Sequence, residues 1–256
     1  MGQTITLSEL EVDILWEHLR LGPIPPILDI DAHGATLDER AELAAKAWES
    51  LADKGLGWPE RLDGRVTFRL TLLARPEWEL DARLHLGIGQ PPRRALIAAN
   101  SSTATVAILD GGQLVLRTTP ADVITMEAVE LLPPHPPATG PSFTLPASVL
   151  DRAAAQAGRT AETFAGALLS QGLGRFEART VATLAGTAIR YAHFGAARTP
   201  RFQKRRRANH VVSVYDTPDG RHLFTRKPGT RDGWITRSPG TTAAIARQLD
   251  ELLNSL

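Results

Sequence analysis

The chain has 256 residues, and its 29 basic and 28 acidic side chains leave a net charge of +1, so no global field draws it to nucleic acid. It has no cysteine, which excludes disulfides and thiolate metal sites and fits a reducing compartment. The length admits one large domain or two fused halves, and enough buried surface for a core without covalent staples.

The opening residues lack the basic start and apolar run of a signal peptide. The charge-free run at 95–109 is too short and too polar to span a bilayer. The expectation is a soluble, cytoplasmic protein. Thr6-Leu7-Ser8-Glu9 reads as a capping box, followed by Leu7, Leu10, Ile14 and Leu15 at helical spacing. Gly22-Pro23 stops that helix, and Pro23, Pro25 and Pro26 make the next stretch extended. A second box, Thr36-Leu37-Asp38-Glu39, predicts a helix to about Lys54, ended by Gly55. Residues 65–73 fit either a strand or a short helix, with helix preferred and Pro76 closing it.

Strand patterns follow. Leu80, Ala82, Leu84 and Leu86 alternate with charged neighbours, and further strands are expected at 94–99, 103–109 and 113–117. Asp110-Gly111 marks a hairpin turn. Thr119-Pro120 predicts a helix with proline in its first position, running to about Leu132. Five prolines at 133, 134, 136, 137 and 141 exclude helix and sheet, so residues 133–142 read as a linker between halves 1–132 and 143–256. In the second half, helices are expected at 146–157, 160–171 and 174–186, then strands at 187–195, 209–216, 221–227 and 233–237. A last helix starts near Thr241 with Ile245, Leu249, Leu252 and Leu253 on one face.

The two halves end alike. Leu116-Arg117-Thr118-Thr119-Pro120 parallels Ile235-Thr236-Arg237-Ser238-Pro239. The apolar set Ile124, Ala128, Leu131 and Leu132 parallels Ile245, Leu249, Leu252 and Leu253. Each half thus reads as helices, four strands and a helix. The expected fold class is α+β, a pseudo-twofold repeat with helices gathered away from antiparallel strands.

A search for chemistry finds little. The seven histidines form no metal-binding pair at helical spacing, and no Gly-x-Ser-x-Gly elbow is present. Gly87-Ile88-Gly89-Gln90-Pro91-Pro92 begins like a dinucleotide loop, but proline stands where a helix must continue, so it reads as a hairpin loop. Asp29 and Asp31 sit in a proline-rich loop and read as solvated. No catalytic, cofactor-binding or metal-binding residue is expected, and the protein reads as a non-enzyme.

One charge run stands apart. Arg198, Arg201, Lys204, Arg205, Arg206 and Arg207 lie within ten residues that hold Phe202 and no acid. Three readings are open: a solvated connection between strands, a contact to an acidic protein partner, or a contact to phosphate. The last makes a nucleic-acid-associated regulator the alternative function, although no recognition helix or aromatic cluster accompanies the run.

Asn209-His210-Val211-Val212-Ser213-Val214-Tyr215-Asp216-Thr217-Pro218-Asp219-Gly220-Arg221 resembles a strand and turn of the EspG family. Gly233-Trp234-Ile235-Thr236, followed by Ser238-Pro239-Gly240, is similar to that family's last strand and turn, and Ala74-Arg75-Pro76-Glu77 to the run before its first strand. The order of elements matches over nearly the whole chain. The resemblance implies a cytosolic chaperone of type VII (ESX) secretion that does no chemistry and takes no cofactor. It implies a central antiparallel sheet flanked by two helical bundles, and a partner that is the PPE protein of a PE–PPE heterodimer, gripped at its helical tip. The free protein is expected to be a monomer or homodimer, with no nucleic acid and no membrane insertion. The expected partner-binding residues are Phe176, Tyr191, Phe194 and Trp234 of the sheet and C-terminal bundle, with Phe202, Arg205, Arg206 and Arg207 of the arginine-rich loop. An apolar patch with a polar rim is what such a role requires.

Overall fold

Ser8 ends a strand and begins a helix. In the computed structural model, which describes residues 3–256 except 88, 158, 159, 202, 228, 230 and 231, Ile5–Ser8 form strand β1 and Glu9–His18 form helix α1. Ser8 Oγ accepts from the Glu11 N–H at 3.2 Å, and Glu11 Oε2 accepts from the Ser8 N–H at 2.6 Å. The capping box therefore lies two residues beyond the expected Thr6–Glu9. Ile5 and Leu7 are held instead in an antiparallel ladder against β7 (Gln113–Pro120), Ile5 opposite Leu116.

The chain divides into two units. Unit 1 takes Met1–Arg83, Pro91–Ala128 and Ala197–Arg206. Its sheet runs in the order β1, β7, β6 (Thr103–Asp110), β5 (Arg93–Ala99), β4 (Trp78–His85). Helices α1 and α3 (Gly64–Ala74) pack on it, and α2 (Leu37–Asp53) packs on α1 and on a small hairpin of β2 (Gly57–Trp58) and β3 (Arg61–Leu62). Leu7, Leu15, Leu51, Leu70, Leu96 and Leu116 share the core. The ambiguous segment is helical: Val66, Leu70 and Leu73 are buried while Phe68 is exposed, the period of a helix and not of a strand. Buried Arg69 clips α3 to the sheet by donating to Leu116 O at 2.9 Å, Gln3 O at 2.8 Å and Thr118 Oγ1 at 3.0 Å.

The β6–β7 hairpin turns on Gly111 and Gly112, with φ of 55° and 76°, between the paired residues Asp110 and Gln113. Two successive positive φ angles make the turn type that matches strand twist, one residue beyond the expected Asp110-Gly111. Pro120, expected to open a helix, is instead the last residue of β7, opposite Thr103. A 3₁₀ turn (Ala121–Val123) intervenes before α4 (Ile124–Glu130).

Unit 2 takes Leu84–Gln90, Val129–Ala196 and Arg207–Leu256. Its strands are β8 (Phe143–Pro146), β9 (Arg190–Arg198), β11 (Val212–Thr217), β12 (Gly220–Lys227) and β13 (Trp234–Pro239); a two-residue strand, β10 (Arg206–Arg207), lies in the arginine-rich segment. The order is β8, β13, β12, β11, β9. Numbered by position within each unit, both sheets run first, fifth, fourth, third, second, so the repeat read from the two chain ends is a repeat of topology. Each sheet carries one strand more than expected, because its first strand is a four-residue edge piece. Helices α5 (Ala147–Gln156), α6 (Ala161–Ser170) and α7 (Arg175–Thr187) form a bundle, and α8 (Thr242–Asn254) packs on β11 and β12. Thr241 caps α8, its hydroxyl accepting from the Ala244 N–H at 3.1 Å, and Ile245, Leu249, Leu252 and Leu253 are buried as a stripe.

The proline-rich segment, expected as a linker, is strapped onto unit 2. Proline lacks an N–H but keeps its carbonyl, and those carbonyls are used. The Arg221 N–H donates to Pro136 O at 2.7 Å, and the Ala138 N–H to Arg221 O at 2.8 Å. The Arg221 guanidinium donates to Pro133 O, and that of Arg237 to Thr139 O and Pro141 O. The approach is so close that a Cβ on Gly220, at φ +120°, would lie 2.6 Å from Ala138 Cα.

Candidate partner-binding groove

Strand register assigns the two faces of the unit 2 sheet. Tyr215 stands opposite Tyr191 on β9 and His222 on β12, and Ser213 opposite His193 and Phe224. Directly paired residues share a face, so these side chains line one side with Ile235 and Leu145. Residues of the other parity, Ala192, Phe194, Val212, Val214 and Leu223, are buried on the reverse side.

The first face meets the α5–α7 bundle. Leu145 and Ile235 join Ala147, Val149, Ala153, Leu168, Ala178 and Val181 in one core, which anchors the bundle at the β8–β13 end. Elsewhere bundle and sheet leave an open groove of about 430 Å³. Leu150 and Ala154 of α5, Phe164 of α6, and Val181 and Leu184 of α7 form one wall. Ser213, Tyr215, Phe224 and Ile235 form the floor, with Val211 and Arg226 also lining it. Phe164 and Phe224 are half-buried and Val211 is exposed, so apolar surface stays accessible inside the groove.

An aromatic band continues the floor. Tyr215 meets Phe224 edge-on at 5.6 Å and lies 6.2 Å from Tyr191, which stacks on His85 at 4.2 Å. Ser213 Oγ bonds His193 Nδ1 at 2.9 Å and fixes that ring beside both tyrosines. Burial pushes the Tyr215 phenol above its ordinary range, so it is a neutral hydrogen-bonding group at pH 7. The groove floor and walls are thus apolar and aromatic. Among the described residues no three His, Asp or Glu side chains converge to hold a metal ion.

The expected partner-binding residues separate in the structure. Tyr191 lies on the groove face, 36% exposed. Phe194 is 0% exposed, because strand alternation turns it to the reverse side opposite Val212; it is a core residue and presents no surface. Trp234 is 51% exposed, but its parity is opposite to that of Ile235, so it stands outside the groove across from Lys227. Phe176 is 47% exposed on α7, edge-on to Phe143 at 6.2 Å, and lines a different cavity. Phe202 lies outside the described residues.

In unit 1 the Arg205 guanidinium grips Glu79 with two bonds, 2.9 and 2.8 Å, and Arg198 stacks over Trp78 at 4.0 Å. Glu79, foremost, holds the Arg205 pKa above its ordinary value. Arg205 is thereby committed within its own unit. Arg206 and Arg207 are exposed.

The sequence reading did not single out Tyr215, Phe224, Leu150 and Phe164, which line the groove. A signal existed for Tyr215: in 212–215, Val-Ser-Val-Tyr alternates, and the non-aliphatic parity marks the face opposite that of Val212 and Val214.

An open, apolar, aromatic-floored groove between a sheet and a helical bundle, with a topology repeated in two units, defines a protein-binding module. The sequence model of the EspG family matches residues 8–251, and the chain belongs to that family. Among solved structures, it is similar to the Mycobacterium tuberculosis type VII secretion system chaperone EspG5 in complex with the PE25-PPE41 dimer. That likeness has a TM-score of 0.80 at 16% identity and covers 99% of this chain and 97% of that one. No curated protein matches the chain in sequence.

Proposed function

We propose that this protein is a chaperone of type VII secretion that binds the PPE protein of a PE–PPE heterodimer and keeps it soluble until export. The observation that carries this reading is the accessible apolar groove between α5–α7 and the sheet. A secreted helical protein with an apolar tip self-associates in water unless that surface is covered. Leu150, Phe164, Val211, Tyr215 and Phe224 supply the covering surface, and Tyr191 extends it. Membership of the EspG family and the likeness to a chaperone solved with a PE–PPE dimer support the partner class. The role is non-enzymatic and cytoplasmic: grip and release need no bond chemistry, and the client must be held before export. Among the described residues no helix is long and apolar enough to cross a membrane.

The test is co-expression with the PE–PPE pair encoded nearest to this chain, followed by size-exclusion chromatography. A co-eluting three-chain complex is expected. Separate elution from every PE–PPE pair of the same genome would overturn the proposal.

A further inference from the structure

A second cavity of about 360 Å³ lies in unit 2, between α7, the β11–β12 turn and the proline-rich strap. Arg179 and Thr183 of α7, His222 of β12 and Arg237 of β13 face it, with Phe176 as an apolar wall. Arg237 is 1% exposed, yet among the described residues no carboxylate pairs with it. Its Nε–H donates to His222 Nδ1 at 2.9 Å, and its terminal nitrogens donate to Pro141 O at 3.1 Å and Thr139 O at 3.0 Å. A buried cation held only by dipoles leaves a local excess of positive potential.

The same contact fixes the chemistry of His222. A guanidinium can only donate, so Nδ1 of His222 must be the bare acceptor and the ring hydrogen sits on Nε2. Burial first, then Arg237, holds this ring neutral at pH 7, its pKa lowered to about 4. His222 is 6% exposed as a residue; its Nε2–H has no protein hydrogen-bond partner among the described residues and is not sealed from solvent, so it opens on the cavity. A fixed N–H donor that opens on a cavity shared with Arg179 and Arg237 suits an acceptor with negative charge. Arg179 is exposed and forms no ion pair among the described residues. Asp219 also lines the cavity, from its exposed side, and disfavours a dianion.

We propose that this cavity is a carboxylate-binding site, in which one carboxylate group accepts from His222 Nε2–H and from the Arg179 guanidinium. Arg237 acts through His222 and is a positioning residue. The carboxylate comes either from a small free acid or from an acidic side chain of a bound partner, and both present the same oxygens.

The test is a titration of the ¹⁵N-labelled protein at pH 7 and constant ionic strength, read on the histidine ring nitrogens. The probes are acetate and propionate, both monoanions at pH 7, with sulfate as the dianion comparison. The His222 signals are identified by their loss in His222→Gln. Both carboxylates are expected to give a saturable shift of the His222 ring nitrogens, and sulfate a weaker one. Arg179→Gln, an exposed change, is expected to weaken the apparent affinity about tenfold or more, the scale of one charge-assisted hydrogen bond. No saturable His222 shift with either carboxylate, or an unchanged curve in Arg179→Gln, overturns the proposal. Repeating the titration on a client complex separates the sources. If bound client already shifts His222 and blocks acetate, a partner side chain supplies the group; if acetate still titrates the site, a free acid does. Either result upholds the carboxylate site, and the titration of the free protein stands whether or not a PE–PPE client binds.

Discussion

Arg221 and Asp216 form a two-bond ion pair, Nε to Oδ1 at 2.7 Å and Nη2 to Oδ2 at 2.9 Å, with both side chains almost wholly buried. Arg190 shares Asp216 Oδ2 at 3.1 Å, and the Arg221 Nη2 also reaches Pro133 O at 2.6 Å. One carboxylate therefore neutralises two arginines, one of which holds the strap. Asp216→Ala strands a buried cation, which costs about 3–5 kcal/mol. The expected outcome is a large drop in the urea midpoint of unfolding, with faster proteolysis within residues 133–142. Arg190→Ala, at a more exposed position, is expected to cost far less.

The groove makes a prediction that separates binding from folding. Val211 is exposed and lines it beside Arg226, so Val211→Lys sets a second cation into apolar surface that a client must cover. Burying that ammonium unpaired costs about 2 kcal/mol or more, a loss of about thirtyfold in affinity. The thermal midpoint of the free protein should move little. Trp234→Asp, outside the groove, should leave client affinity unchanged. Isothermal titration with a purified PE–PPE pair measures both variants.

Within the arginine-rich segment the roles are unequal. Arg205→Ala leaves Glu79, nearly buried, without its two-bond partner, at a cost of about 1–3 kcal/mol. Lys204→Ala and Arg206→Ala change exposed side chains and are expected to stay within about 0.5 kcal/mol. Chemical denaturation of the three variants side by side decides it. Equal stability of all three would remove the assigned role of the Glu79 pair.

His222 sets a pH window. Its folded pKa is lowered from 6.5 to about 4, so the unfolded chain binds the proton more readily between those values. The ring's contribution is fully present above pH 6.5 and is lost as pH falls towards 4, up to about 3 kcal/mol. His222→Gln should flatten the stability profile across that range relative to the parent chain. Asp13 acts lower. Burial pushes its carboxyl up, but hydrogen bonds from Arg40 and His33 outweigh this and hold it below 3.8, so its contribution is lost only as pH falls beneath that value. Urea titrations at stepped pH resolve the two.

Much of the architecture was legible because local chemistry decides it. The bundle helices α5–α7 begin and end within a few residues of their expected bounds, and the α8 stripe is buried as its spacing requires. The edge strands β1 and β8 were not legible. Four residues carry too little alternation, and their strand character comes from the ladders against β7 and β13. The misplaced capping box has the same origin: the β1 ladder takes Thr6, and the equivalent signature at Ser8–Glu11 starts the helix.

The candidate site was legible in region and not in residue. Alternation in β9 puts Tyr191 and Phe194 on opposite faces, but which parity meets the bundle is settled by packing. Prolines at 133–141 exclude regular structure by local rule, while their carbonyls are claimed by Arg221 and Arg237, over 80 residues away in the chain. Sequence alone therefore determined what short-range forces govern: helix spans, hairpin turns, the repeated order of elements and the family likeness. Tertiary structure alone decided which faces are covered, which arginines are spent on carboxylates or carbonyls, and where apolar surface remains open, because burial and pairing depend on partners distant in the chain.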